Sequence, residues 1–288
     1  MPRPIRLHVL LILSLCAFVG QSLTLSAADE IRVLKDMPYK AEATTEYEQQ
    51  RCKLDLYLPA NAKNFPTIVW FHGGGLQAGS NDGDGALGRR FANDGIAVAS
   101  VNYRLDPNVK FPAYIEDAAA AFSFVRKQIT EYGGSPDSIF VSGHSAGGYL
   151  TAMIGADEKY LAKHNLKLQD IAGLMPISGQ MITHSTVRAE RGIPKTRPVI
   201  DQAAPAYYSS RETPAWLLIV GSQDMASRAE ENRYFGAALK AAGHKDVTYL
   251  EVEGRNHGTI GNRIGEPTDT VALAMLEFMK RLRRPASP

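Results

Sequence analysis

The chain has 288 residues, of which 44% are hydrophobic and 22% charged. That balance supplies a real apolar core and excludes a fibre or a disordered chain. The formal net charge is only +2, with no basic block to follow a phosphate backbone, so nucleic acid is excluded as a partner.

The N-terminus differs from the rest. Arg3 and Arg6 precede an apolar run over 7–20, Gln21 and Ser22 break it, and Ser26-Ala27-Ala28 supplies small residues ahead of Asp29. This three-part layout predicts a secretory signal peptide over 1–28, followed by one domain over 29–288. The apolar part falls short of the roughly 20 residues that span a bilayer. An uncleaved anchor is thus the weaker alternative, and no membrane association is expected after cleavage. Cys16 follows the bulky Leu15, which argues against lipidation. Cleavage takes two of the 32 basic residues and none of the 30 acidic ones, leaving the charges balanced. The expected location is secreted or periplasmic. Of the two cysteines only Cys52 would remain, so no intramolecular disulfide is expected, and Cys52 reads as a small, partly buried apolar residue.

Next along the chain, KLDLYLP (53–59) alternates in polarity and predicts an antiparallel edge strand. Six further runs are TIVWF (67–71), IAVASV (96–101), SIFVS (138–142), IAGLMPI (171–177), AWLLIV (215–220) and the weaker VTYLEV (247–252). Most are apolar throughout, as strands covered on both faces should be. Between them, Ile115, Ala118, Phe122, Val125, Ile129 and Tyr132 mark one helical face, and Gly133 is a stop. Ser227 and Glu230 have capping-box spacing, with Gly243 closing that helix. A last helix is expected from near Thr268 to before Pro285, its KRLRRP end placing positive charge at a C-terminus. Strand alternating with helix predicts an α/β fold, a mostly parallel sheet with helices on both sides. The segment 180–214 breaks the rhythm and reads as a small cap or lid insertion, against the alternative of a surface loop with no role.

In a parallel sheet the useful crevice lies at the carboxyl ends of the strands. Ser145 stands there, between a strand and a helix, in GHSAG. This is G-x-S-x-G, the tight turn that lifts a serine hydroxyl above a sheet. By composition the pattern arises by chance in roughly one chain in eight, so context decides. FHGGGL (71–76) also follows a strand end, and its glycines let backbone N–H groups face one point. Acyl transfer needs such donors for the tetrahedral oxyanion, together with the N–H after the nucleophile. Gly74, Gly75 and Ala146 are the expected donors, and His72 is expected to brace the loop. A serine needs a base. His257 lies past the last strand on the same edge. His244 belongs to the opposite edge, His164 and His184 lie outside the strand-end loops, and the His144 side chain is expected to point elsewhere. Asp224, past the strand ending at Val220, is the expected acid that orients His257. A turn or capping role is its alternative.

These residues carry a resemblance. With FHGGG, VNYRL (101–105), FPA (111–113), Asp117, GHSAGG, Asp224 and the Asn256-His257 pair in order, the chain resembles α/β-hydrolase-fold esterases. The similar groups are the hormone-sensitive-lipase-like and feruloyl-esterase-like carboxylesterases. The resemblance covers about Cys52 to the last helix. It implies a serine hydrolase acting on small acyl esters, with no metal or cofactor; the expected export adds polysaccharide-borne esters to small-molecule ones as candidate substrates. Formamide or amide cleavage by the same triad is the rival within enzymes, and a binding module on a hydrolase scaffold is the rival outside them. GDGALG (83–88) fits G-x-G-x-x-G but does not directly follow a strand, so it reads as a mobile loop rather than a dinucleotide site. Asp82 and Asp84 lack the rest of a calcium loop, and no His/Cys cluster has zinc spacing.

Overall fold

The computed structural model describes residues 31–283; the signal-peptide reading of 1–28 lies outside the described residues. The strands are β1 (Arg32–Pro38), β2 (Lys53–Leu58), β3 (Phe65–Phe71), β4 (Ala97–Val101), β5 (Gly134–His144), β6 (Gly173–Ile177), β7 (Trp216–Gln223) and β8 (Val247–Asn256). The α-helices are α1 (Glu46–Arg51), α2 (Gly85–Asn93), α3 (Ala113–Gln128), α4 (Ala146–Ala156), α5 (Lys159–Ala162), α6 (Ser185–Glu190), α7 (Arg228–Ala241), α8 (Thr259–Asn262) and α9 (Thr270–Leu282). The strands form a single sheet in the order β1-β2-β4-β3-β5-β6-β7-β8. From β4 onward in that order every pair is parallel, while β2 runs antiparallel to both β1 and β4.

The inner strands are apolar throughout because helices cover both faces. Successive strand residues point to opposite sides, and the core divides accordingly. Val69, Val141 and Leu218 join Phe122 of α3, Tyr149 of α4 and Phe235 of α7. Ile68, Phe140 and Ile219 join Phe91 of α2 and Met275 and Phe278 of α9. The expected helical face over 115–132 is realised as α3 plus a 3-10 turn, closed by Gly133 at φ 92°. Among the described residues no helix is long and apolar enough to cross a membrane.

Three local expectations need correction. KLDLYL is not the edge: β1 pairs along its outer side, from Arg32 opposite Leu58 to Pro38 opposite Lys53. The polar residues Arg32, Lys35 and Asp36 hid β1 from an apolarity reading, and such charges suit an exposed edge. Ser227 precedes α7 but does not cap it. Its left-handed backbone, φ 67°, replaces the extended one a capping side chain needs, and Glu230 faces Arg233 instead. GDGALG is no loose loop either. Residues 81–84 form a 3-10 turn and α2 begins at Gly85, with Gly88 so close to the Tyr57 ring that a Cβ would lie 2.5 Å from it.

A buried ionic knot ties Lys40 and α1 to α3. The fully buried Asp117 accepts from Arg104 Nε (2.8 Å) and Nη2 (2.7 Å) and from Lys40 Nζ (2.5 Å). Lys40 also donates to Glu48 of α1 (2.7 Å). Burial by itself would raise the Glu48 pKa, but Lys40, the Thr44 N–H and Arg104 overcome it and hold the carboxyl at about 2. A carboxyl depressed on folding stabilises the fold above its unfolded value, about 4.3 for Glu, and that contribution is lost as the pH falls through the folded value. Glu48→Gln should therefore lower the melting temperature at pH 7. In melts followed by circular dichroism the gap to the parent should close as the pH drops from about 4 to about 2.

Candidate active site

Strands β3 and β5 pair in parallel with Phe71 opposite Gly143, so the chain leaves both at one edge of the sheet. Ser145 follows β5 and α4 begins at the next residue. Its backbone sits at φ 57°, ψ −113°, a costly conformation for a residue with a Cβ, held only where the surroundings over-determine it. Those surroundings require glycine. A Cβ on Gly147 would lie 1.9 Å from the Phe71 carbonyl oxygen, one on Gly143 2.6 Å from the same oxygen, and one on Gly148 2.8 Å from the Ile177 carbonyl oxygen. The Ser145 N–H donates to that Ile177 carbonyl (2.8 Å), which fastens the turn to β6.

Asp224 follows β7 and His257 follows β8, and the turns of the sheet edge bring both to Ser145. Ser145 Oγ donates to His257 Nε2 (2.9 Å), and His257 Nδ1 donates to Asp224 Oδ1 (2.7 Å). The ionised acid accepts only, which sets that imidazole tautomer. Asp224 is almost sealed, its side chain 2% exposed, while His257 keeps 25%. Burial alone would raise the Asp224 pKa; bonds from His257, Ser178 Oγ and the Met225 N–H reverse this and hold it at about 2.

The glycine loop abuts the serine. A Cβ on Gly73 would come within 3.4 Å of Ser145 Cβ. Gly74 and Gly75 have φ 115° and 65°, and the Gly74 carbonyl accepts from the Gln77 and Ala78 N–H groups in a tight turn. His72 braces this loop, as expected. Its Nδ1 donates to the Gly73 carbonyl (2.6 Å), and its ring stacks on Tyr103 with centroids 4.4 Å apart. Burial pushes its pKa down to about 4, so it stays neutral.

Three further histidines are engaged away from the Ser145 hydroxyl. His244 donates to the Thr213 carbonyl (2.8 Å) at the opposite edge. His184 lies against Tyr149, and burial lowers its pKa to about 3. His144 does not bond Ser145, but it is closer to the chemistry than expected. Its Nε2 donates to the His257 carbonyl (2.7 Å) and the two rings lie 4.9 Å apart. Burial first, and then His257, lower its pKa to about 4.

Several neighbours escaped the sequence reading. Ser178, in a left-handed conformation just past β6, bonds Asp224 Oδ2. Arg228 Nη1 holds the Ser178 carbonyl. Thr186, in the segment 180–214, donates to the Gly75 carbonyl (2.5 Å). A polar residue directly past a strand's carboxyl end was the available signal for Ser178; Thr186 had none. The segment 180–214 contains α6 and a 3-10 turn over 205–208, and it touches the glycine loop through Thr186. Among the described residues, Glu48, Cys52 and Asp117 could converge on a cation. Lys40 and Arg104 already neutralise those carboxylates, and burial pushes the Cys52 thiol up to about 12, so this donor set does not fit a metal.

Comparison with known proteins follows the same lines. The BD-FAE family profile matches residues 54–239. Esterase LipC of Mycobacterium tuberculosis is 29% identical over 244 residues, 77% of this chain and 60% of LipC. The chain thus spans somewhat less than two thirds of that relative's length. A truncated carbohydrate esterase from gut microbiota superposes with TM-score 0.71 at 21% identity, covering 89% of this chain and 98% of the other. Thermogutta terrifontis esterase 2, phosphorylated by paraoxon, superposes with TM-score 0.69 at 25% identity, covering 87% and 94%. The fold is that of the α/β-hydrolases.

The tightest constraint at this site is steric. Gly147→Ala should destabilise the chain by about 1–3 kcal/mol in urea unfolding, because its Cβ would meet a backbone carbonyl that cannot retreat without breaking the β3–β5 register.

Proposed function

The chain belongs to the BD-FAE family, and we propose that it is a carboxylesterase-type serine hydrolase cleaving esters of small acyl groups. The observation that carries this reading is the unbroken line from Ser145 Oγ through His257 to Asp224, at 2.9 and 2.7 Å, on a strained turn beside three glycines. The esterase names of LipC and of the Thermogutta enzyme support it.

The chemistry uses this chain's groups and water. His257 Nε2 takes the Ser145 proton as Oγ bonds to the ester carbonyl carbon. The carbonyl π electrons move to oxygen, and the N–H groups of Gly74, Gly75 and Ala146 hold the resulting oxyanion. Asp224 stabilises the imidazolium without taking its proton. Collapse expels the alcohol oxygen, which receives the proton from His257. A water then gives a proton to His257 and attacks the acyl carbon, and the second collapse returns that proton to Ser145 with release of the acid. Export through residues 1–28 belongs to the same proposal, and an exported esterase would meet polymer-borne esters as well as small ones. Residues 180–214 act as a partial cap, supported by the Thr186 contact to the glycine loop.

Ser145→Ala should cut kcat for p-nitrophenyl acetate by on the order of 10⁶. Asp224→Asn should cut it by on the order of 10⁴, because the amide favours the wrong imidazole tautomer. Paraoxon should add one diethylphosphoryl group at Ser145, read by intact mass and peptide mapping. Parent turnover persisting in Ser145→Ala, or a folded protein that paraoxon does not label, would refute the reading. A formyl-arylamine cleaved faster than the acetate ester would replace the ester with an amide.

A further inference from the structure

Beside the Asp224 loop a groove of about 650 Å³ opens between residues 180–200 and the start of α7. It shares a wall with the site, since Met225 lines it and donates its N–H to Asp224 Oδ1 (2.7 Å). Its rim is apolar and exposed. Ile200, Met225 and Tyr234 are 44%, 54% and 53% exposed, three of the five large hydrophobic residues so exposed among the described residues.

The floor is charged. Arg188 and Arg228 line the groove and are 3% and 7% exposed. Arg188 donates to the Thr183 and Lys195 carbonyls, and Arg228 to the Ser178 carbonyl. The Nε of each is buried with no partner. Carboxylates act on them only through space: Glu231 on both, and Asp224 on Arg228. Glu231 also lines the groove, where it accepts from the Met181 N–H (3.1 Å) and bonds neither arginine, and Asp224 serves His257. Glu230, also on the groove, turns to Arg233. Burial moves both guanidinium pKa values down. A buried cation without a hydrogen-bonded countercharge is costly and is seldom left so. Lys195 on the rim and the N-terminus of α7 add positive potential.

We propose that this groove is a substrate subsite for a carboxylate. The esters cleaved here carry an acidic sugar, a uronic acid, whose carboxylate sits on Arg188 and Arg228 and whose ring lies over Met225 and Tyr234. A guanidinium's planar donors match a carboxylate in shape, and the exposed apolar rim suits the C–H face of a pyranose. This rests on the hydrolase reading above and names its substrate class.

The test separates the two. Calorimetry on full-length Ser145→Ala, which needs no turnover, should show glucuronate binding at least tenfold tighter than methyl glucoside. The double variant with Arg188→Gln should lose that preference, and the one with Lys195→Glu should weaken it even if the arginine variant fails to fold. In kinetics, kcat/KM for acetylated glucuronate should exceed that for acetylated glucose by tenfold or more, falling towards equality with Arg188→Gln. Equal binding of the two sugars by Ser145→Ala, with paraoxon labelling Ser145 of the parent, overturns the subsite and leaves the hydrolase. Selective, Arg188-dependent glucuronate binding without labelling overturns the hydrolase and leaves the carboxylate site.

Discussion

The close approach of Gly147 to the Phe71 carbonyl governs this molecule. A Cβ there would lie 1.9 Å from the oxygen, so α4 can start where it does only because the residue after Ala146 has no side chain. That approach sets the angle at which β5 turns into α4 and forces Ser145 to a positive φ. It also fixes the end of β3 against the end of β5, which brings the glycine loop within contact of the serine. Strain at one residue is held by several tight backbone contacts around it, the arrangement expected where a reactive group must be presented rather than relaxed.

Electrostatics follow from burial in the same region. Three histidines stand close to the sheet edge or the inserted segment with pKa values pushed down by desolvation, so they brace loops as neutral rings. Asp224 is held ionised by three donors despite burial. The edge thus contains one sealed negative charge facing one half-open imidazole, with uncharged donors around them. Positive charge without a hydrogen-bonded carboxylate lies a few residues away, on Arg188 and Arg228, in the groove beyond Met225. Two neighbouring regions are therefore polarised in opposite senses, one towards the reacting carbonyl and the other towards what is attached to it.

The parts of the site that were legible in the sequence are those whose chemistry has a local signature. GHSAGG and FHGGG declare themselves because tight turns admit few residue types. Asp224 and His257 were legible by position, since both follow strands that could be recognised by continuous apolarity. The inner sheet was legible for the same reason. Failures occurred where local pattern and context part company. β1 is a strand because β2 offers it an edge, although its own residues are polar. Ser227 has the spacing of a cap, but the chain arrives at α7 from the Asp224 turn with the wrong backbone. Gly83 and Gly85 look like loop glycines until α2 lies down on Tyr57.

The sequence by itself determined the inner strands and the helix α3, the strained serine turn, the glycine loop and the identities of the three aligned residues, because each depends on backbone sterics and residue type within a few positions. Tertiary structure alone decided that Ser178 bonds Asp224, that His144 supports His257, that Thr186 reaches Gly75, and that Arg188 and Arg228 share a floor without a carboxylate bonded to either. Those contacts join residues as much as 113 positions apart. Their strength comes from removing water around groups that only the folded sheet edge brings together, and no short stretch of chain encodes that removal.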